Sequence, residues 1–164
     1  MTGPTAAAHE LGRRPEDAAA FVEAVARATN ECLTEMVYDL YAPNARAVMI
    51  TDGAREESIG VHAIHDAYAR NCAAFKARRF TLEKQLVAAT EDTIVNEWRG
   101  GPRGRHQGCG IEVWRFDHEG KVIDLRLYSY LKVRPTLHPL QILQLMLGSP
   151  GMTLAAGWAR LRQR

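Results

Sequence analysis

From Phe80 to Val133 the sequence holds a two-residue hydrophobic period through four stretches: FTLEKQLVAAT, TIVNEWR, RHQGCGIEVWRF and KVIDLRLYSYLKV. They are separated only by Glu91-Asp92, by GGPRG and by Asp117-His118-Glu119-Gly120. Breaks this short leave no room for a crossover helix, so consecutive strands must lie side by side and antiparallel. A four-stranded meander of this kind needs something apolar against one face, and the chain before it supplies that.

Before residue 80 the period is helical. Pro15-Glu16-Asp17 opens a first helix, with proline in the first turn and acids complementing the dipole. Phe21, Val22, Val25 and Ala28 share its apolar face. Leu33, Met36, Val37, Leu40 and Tyr41 form the stripe of a second helix that Ala42-Pro43-Asn44 ends. ARAVMIT reads as a strand closed by the Asp52-Gly53 turn signal, and REESI as a short strand after it. Gly60 precedes a third helix that buries Ile64, Ala67, Tyr68, Asn71, Cys72 and Phe75. Helices followed by a meander define an α+β class, a cone-shaped curved antiparallel sheet wrapped by N-terminal helices.

Alternation assigns the faces. In the last strand Ile123, Leu125, Leu127, Ser129 and Leu131 point to the core, and Val122, Asp124, Arg126, Tyr128 and Tyr130 point away. In the strand before it Glu112, Trp114 and Phe116 share a face with Gly108 and Gly110. The opposite face carries Ile111, Val113 and Arg115, so this strand is apolar on both sides. An apolar outer face calls for a cover, either a second subunit in a homodimer or the C-terminal segment.

Length and composition exclude several classes. At 164 residues, 46% hydrophobic and 24% charged, the chain is sized and balanced as one globular domain. A net charge of +2 implies no nucleic-acid surface. Cys32, Cys72 and Cys109 are scattered without a CxxC pair, which fits a reducing, cytoplasmic setting rather than a disulfide framework. Residues 1–14 read as a flexible arm without a targeting signal, 15–134 as an α+β barrel domain, and 135–164 as a helical extension. That extension, two short helices broken at Gly148-Ser149-Pro150-Gly151, is expected to be a lid or a dimer clasp; membrane contact is not expected. His62 and His65 lie at i, i+3 with Asp66 adjacent, but no HxH or HExxH pattern completes a metal site. His106 follows GGPRGR, which lacks the strand–loop–helix setting of a phosphate cradle. No cofactor is implied.

LYAPNARAVMI, IGVHAIHDAY and IEVWRFDHEGKVIDLRLYSY, taken in that order, resemble the nuclear transport factor 2-like superfamily. The resemblance runs from about Phe21 to Val133 and is strongest to the branch of SnoaL-like polyketide cyclases, ketosteroid isomerases and limonene epoxide hydrolases. It implies an enclosed apolar pocket for a small polycyclic or isoprenoid-like molecule, in an isomerase, cyclase or dehydratase, or in a noncatalytic binding module. Matched on the RFDHEGKV turn, Glu112 takes the place of the isomerases' protonated acid. Their base falls at Met49 and their tyrosine at Val25, so that mechanism is incomplete here, and Asp52 replaces the base only across a bulge. The epoxide hydrolase residues fall near Trp98, Gly100 and Leu127, which cannot do that chemistry.

The same resemblance turns Asn96 and Trp98 inward beside Glu112 and Trp114, with Phe116, Tyr68, Tyr41, Met49, Leu125 and Leu127 completing a wall and His62 at the mouth. Aromatics with a few convergent polar groups make a ligand site, although Trp98, Trp114 and Phe116 also suit an ordinary core. Glu112, Asn96 and Asp52 are the candidate catalytic residues. An inward acid between Gly110 and Trp114 has to be paired, protonated or catalytic. Left desolvated it favours the neutral form, and Glu112→Gln then raises stability at neutral pH. Ion-paired to a helix residue, the same change lowers it.

Overall fold

The computed structural model describes residues 14–133, together with Leu147, Gly148, Gly151 and Trp158. The chain divides into two compact units, Met1–Val133 and Arg134–Arg164. In the second, the four described residues are helical, including Gly148 and Gly151 inside the stretch read as a break. Residues 1–13 of the expected 1–14 arm, and all but those four residues of the 135–164 segment expected as a lid or clasp, lie outside the described residues.

In the first unit, α1 (Ala18–Glu31) starts at Asp17, whose side chain accepts from the Ala20 amide. Pro15 therefore lies before the helix rather than in its first turn. Its buried face is Ala18, Phe21, Val22, Val25 and Ala28, and it stops at Cys32 in the left-handed region, φ 57°. The second helix, α2 (Met36–Leu40), is a single turn. Tyr41 is already in the strand β1 (Tyr41–Thr51), which absorbs the Ala42-Pro43-Asn44 segment that the sequence reading ended a helix with. Pro43 is tolerated because β1 is irregular between Tyr41 and Arg46, where regular pairing begins.

Asp52 (φ 49°) and Gly53 (φ 87°) turn β1 into β2 (Ala54–Ile59), as two successive positive-φ residues do in a tight hairpin. Helix α3 (Val61–Arg78) buries Ile64, Ala67 and Cys72. The meander follows as β3 (Phe80–Ala89), β4 (Thr93–Pro102), β5 (Gly108–Phe116) and β6 (Val122–Tyr130).

The six strands form one sheet in the order β2-β1-β6-β5-β4-β3. Two expectations change here. The sheet is open, with β2 and β3 as edges, so the domain is not a closed barrel. It is also mixed, because β1 runs parallel to β6 while every other pair is antiparallel. Helix α3 makes the parallel pairing possible by carrying the chain from the β1–β2 hairpin to the far edge. Register shifts in β1, β3 and at Arg115/Phe116 bend the sheet around the helices.

The last of these shifts corrects one face assignment. Phe116 pairs with Val122 but Arg115 pairs with Asp124, so Val122 turns into the core and is fully buried. Beyond the bulge the alternation holds: Leu125 and Ser129 are buried, while Arg126, Tyr128 and Tyr130 are exposed. The main core joins α1 to Ile94, Trp114, Phe116, Val122 and Leu125, and a second cluster gathers Phe80, Leu82 and Trp98 against Phe75 and Leu127.

Candidate functional site

Between the concave sheet face and the three helices lies a cavity of about 160 Å³. Val25 and Thr29 of α1, Tyr68 and Phe75 of α3, and residues from β1, β3, β4, β5 and β6 enclose it. Its wall is largely apolar, with Thr29, Thr51, Asn71, Ser129 and two tyrosines as neutral polar members and one ion pair as its charged element.

That pair is Lys84 with Glu112. Lys84 Nζ stands 2.8 Å from Glu112 Oε1 and 2.7 Å from Oε2. Both side chains are withdrawn from water, at 3% and 8% exposure. The register explains how they meet. Lys84 is opposite Trp98, which is opposite Gly110, whereas Glu112 is opposite Asn96 in the next row. The lysine therefore reaches diagonally across β4 to a residue two strands away. Its ammonium also lies 5.6 Å from the centre of the Trp114 ring, which adds a cation–π contact.

Behind the carboxylate stands Asn96, fully buried. Its Nδ2 donates to Glu112 Oε2 at 3.0 Å, and its Oδ1 accepts from Trp114 Nε1 at 2.8 Å. The network Lys84–Glu112–Asn96–Trp114 fixes the carboxylate's orientation and leaves none of these buried groups without a partner. Glu112 is thus paired, and its partner is on a strand rather than a helix.

Sequence analysis does not single out Lys84. The signal was present, since Phe80, Leu82, Lys84 and Leu86 alternate on one face of β3 and put a charge in an inward register. Asn30 is not singled out either. Its side chain brackets Leu82, donating to the carbonyl and accepting from the amide, both at 2.9 Å. That clamp ties α1 to the edge strand two residues before Lys84 and covers part of an open sheet edge.

Of the other expected site residues, Trp98, Trp114, Tyr68, Tyr41, Met49, Leu125 and Leu127 lie on the cavity wall with Glu112. Trp98 lies over Gly110, where a Cβ would sit 2.4 Å from its indole Nε1. Burial and the charge on Glu112 push the Tyr41 phenol far above its ordinary range. Burial does the same to Tyr68, whose hydroxyl lies near Thr29 and Cys72 but has no partner within full hydrogen-bond geometry.

Four residues lie elsewhere. Asn96 supports the wall from behind, and Phe116 is core, in edge contact with Phe21 at 5.3 Å. Asp52 is exposed at the β1–β2 turn, where its amide donates to Ser129 O and its carboxylate accepts from Leu131 N. It therefore pins the hairpin to the end of β6 and does not replace a base. His62 is exposed, set against Tyr38 at 3.4 Å and away from the cavity. Among the described residues no group of three or more His, Cys, Asp or Glu could hold a metal ion. No described helix is long and apolar enough to cross a membrane.

Solved structures share this architecture. The chain is similar to a steroid delta-isomerase from Pseudomonas aeruginosa, at 20% identity over 89% of this chain and 97% of that one, TM-score 0.53. It is similar to SalBIII, an epoxide hydrolase/cyclase-like enzyme with a role in pyran ring formation in the polyether salinomycin, at 16% identity over 67% and 88%, TM-score 0.52. A SnoaL-like protein of unknown function from Burkholderia thailandensis E264 aligns at 16% identity over 67% and 95%, TM-score 0.51. No protein-family model and no curated protein sequence matches the chain. The fold is that of the nuclear transport factor 2-like proteins. The structures that share it include a steroid delta-isomerase, an epoxide hydrolase/cyclase-like enzyme and a SnoaL-like protein of unknown function. Identities this low carry the fold and leave the chemistry to the residues described above.

Proposed function

We propose that this chain is a pocket enzyme of the isomerase, cyclase or dehydratase type, using acid–base chemistry on a small apolar molecule with Glu112 as the group that carries the proton. The observation behind this reading is a buried ion pair placed in the wall of a largely apolar, otherwise uncharged cavity. Glu112 Oε2 accepts from both Lys84 and Asn96, while Oε1 accepts from Lys84 alone. Oε1 is thus the oxygen free to take a proton from one carbon of a substrate and return it to another. Asn96 is a positioning residue, because it holds Oε2 and touches only the network.

A noncatalytic binding module is the second reading, favoured by the completeness of that network: a carboxylate with three internal donor contacts can serve structure alone. Native mass spectrometry of the purified protein tests both. A bound neutral molecule, lost when Leu125→Trp fills the cavity, supports a ligand pocket. An empty cavity, and no thermal shift with any apolar compound offered, would refute both and leave a scaffold. Turnover of an identified ligand that Glu112→Gln abolishes separates the enzyme from the binder.

The same proposal includes a homodimer. Ile111, Tyr128 and Tyr130 stand 48%, 45% and 61% exposed on the outer sheet face, an apolar surface around the middle of the meander that a second copy would cover. Sedimentation at micromolar concentration should give about twice the 18.3 kDa chain mass; a single-chain species alone would refute it.

A further inference from the structure

The ammonium of Lys84 carries three protons, and its hydrogen bonds among the described residues go only to the two oxygens of Glu112. A bidentate contact uses two of them. The third proton belongs to a group that is 97% withdrawn from solvent and forms part of the cavity wall, so water does not readily satisfy it. A buried charged donor with an unused proton calls for an acceptor, and the space available to supply one is the cavity.

Charge and size narrow that acceptor. Lys84 and Glu112 cancel, and Tyr41 and Tyr68 stay neutral because burial holds their phenols protonated. The wall thus has no net charge to offer, and a ligand bringing its own charge would lose its hydration without compensation. The volume of about 160 Å³ is close to the roughly 150 Å³ that accommodates a benzene ring in a protein interior.

We infer that the cavity selects an uncharged, largely apolar ligand of about one ring that bears a hydrogen-bond-accepting oxygen, and that Lys84 binds that oxygen with its third proton. The inference rests on the ligand-pocket reading above and deepens it. It narrows the polycyclic or isoprenoid-like expectation to a ring or a short branched chain. It also makes Lys84 a charged donor that would stabilise negative charge on the oxygen while Glu112 holds the proton, with the unpartnered Tyr68 hydroxyl as a neutral donor on the same wall.

A set of probes sharing one ring tests it: cyclohexanone, methylcyclohexane, cyclohexanecarboxylate and cyclohexylammonium, titrated at pH 7 against the fluorescence of the wall tryptophans. Cyclohexanone should bind about tenfold or more tighter than each of the other three, the hydrogen bond to a charged donor setting the scale. In the double variant Lys84→Met/Glu112→Leu, which replaces the pair by apolar groups of similar size, methylcyclohexane should still bind and the preference for the ketone should vanish. Equal affinity of the wild-type protein for cyclohexanone and methylcyclohexane would overturn this inference and leave the apolar pocket standing. Tighter binding of the carboxylate or the ammonium would overturn it as well. If none of the four binds, the pocket reading itself fails and the inference with it. The wild-type comparison decides the matter even if the double variant does not fold.

Discussion

Replacing Glu112 by glutamine is the most discriminating change of one residue. It removes the charge and keeps the shape, and the new amide can still accept the hydrogen bond from Asn96 Nδ2. What it cannot do is neutralise Lys84, which stays 3% exposed and has no other acidic partner within ion-pair distance among the described residues. Breaking a buried pair by removing one partner costs about 3–5 kcal/mol, since the remaining charge is left uncompensated. The cation–π contact with Trp114 and the residual dipole of the glutamine offset part of that, so we place the loss near the lower end, about 3 kcal/mol. For a chain of this length each kcal/mol moves Tm by roughly 2–4 °C, giving a fall of about 6–12 °C at pH 7. Circular-dichroism melts of wild type and variant measure it. The double variant Lys84→Met/Glu112→Leu should recover most of the loss, because it removes both charges together. A Glu112→Gln protein as stable as wild type, or more so, would show that the carboxyl group is not ionised against Lys84, and the reading of the site as an ion pair would fall.

Gly110→Ala should cost about 1–3 kcal/mol, because its Cβ would lie 2.4 Å from both Tyr128 O and Trp98 Nε1; an unchanged denaturation midpoint would show that the strand gives way freely. Tyr68→Phe should stabilise the protein by about 1 kcal/mol, since it deletes a buried hydroxyl that has no partner, and a loss of stability in urea titration would reveal a partner for it. Asp92 governs an acid effect. Hydrogen bonds from Thr93 and then Thr90 hold its carboxyl below the usual range. A group with a depressed folded pKa stabilises fully above its unfolded pKa and loses that contribution as pH falls through the folded value. Asp92→Ala should therefore lower Tm at pH 7, and the gap to wild type should close below about pH 4; a gap that persists in acid would contradict the assignment.

The sheet was legible in the sequence because its signals are local. Period-two alternation over residues 80–133 reports which side chains share a face, and a strand half-buried against helices cannot hide that pattern. Turn chemistry is equally local, as Asp52-Gly53 shows with its two positive φ angles. The order of helices and strands, and the shared face of Glu112, Trp114 and Phe116, follow from these signals alone, while the direction of that face comes from the family resemblance. Local signals mislead where a bulge or a tertiary contact intervenes. Strict alternation points Val122 outward, but a register shift turns it into the core, and the helical stripe runs on through Tyr41, which the sheet claims for β1.

Tertiary structure alone decided the site. The sequence leaves Glu112 paired, protonated or catalytic without choosing among them, because Lys84 lies 28 residues away and two strands across. Only the β3–β4–β5 register brings the two together, and shifting β3 by one residue would turn Lys84 out into water and leave the acid unpaired. The parallel pairing of β1 with β6 was likewise invisible, since strands 70 or more residues apart carry no mark of their neighbour in their own pattern. It is this pairing that brings Met49 opposite Leu127 and closes the cavity wall on that side. Residue alternation is a property of one strand and can be read from one strand. A binding site is a property of several strands in register, and that is fixed only when the whole chain has minimised its buried, unpaired charge.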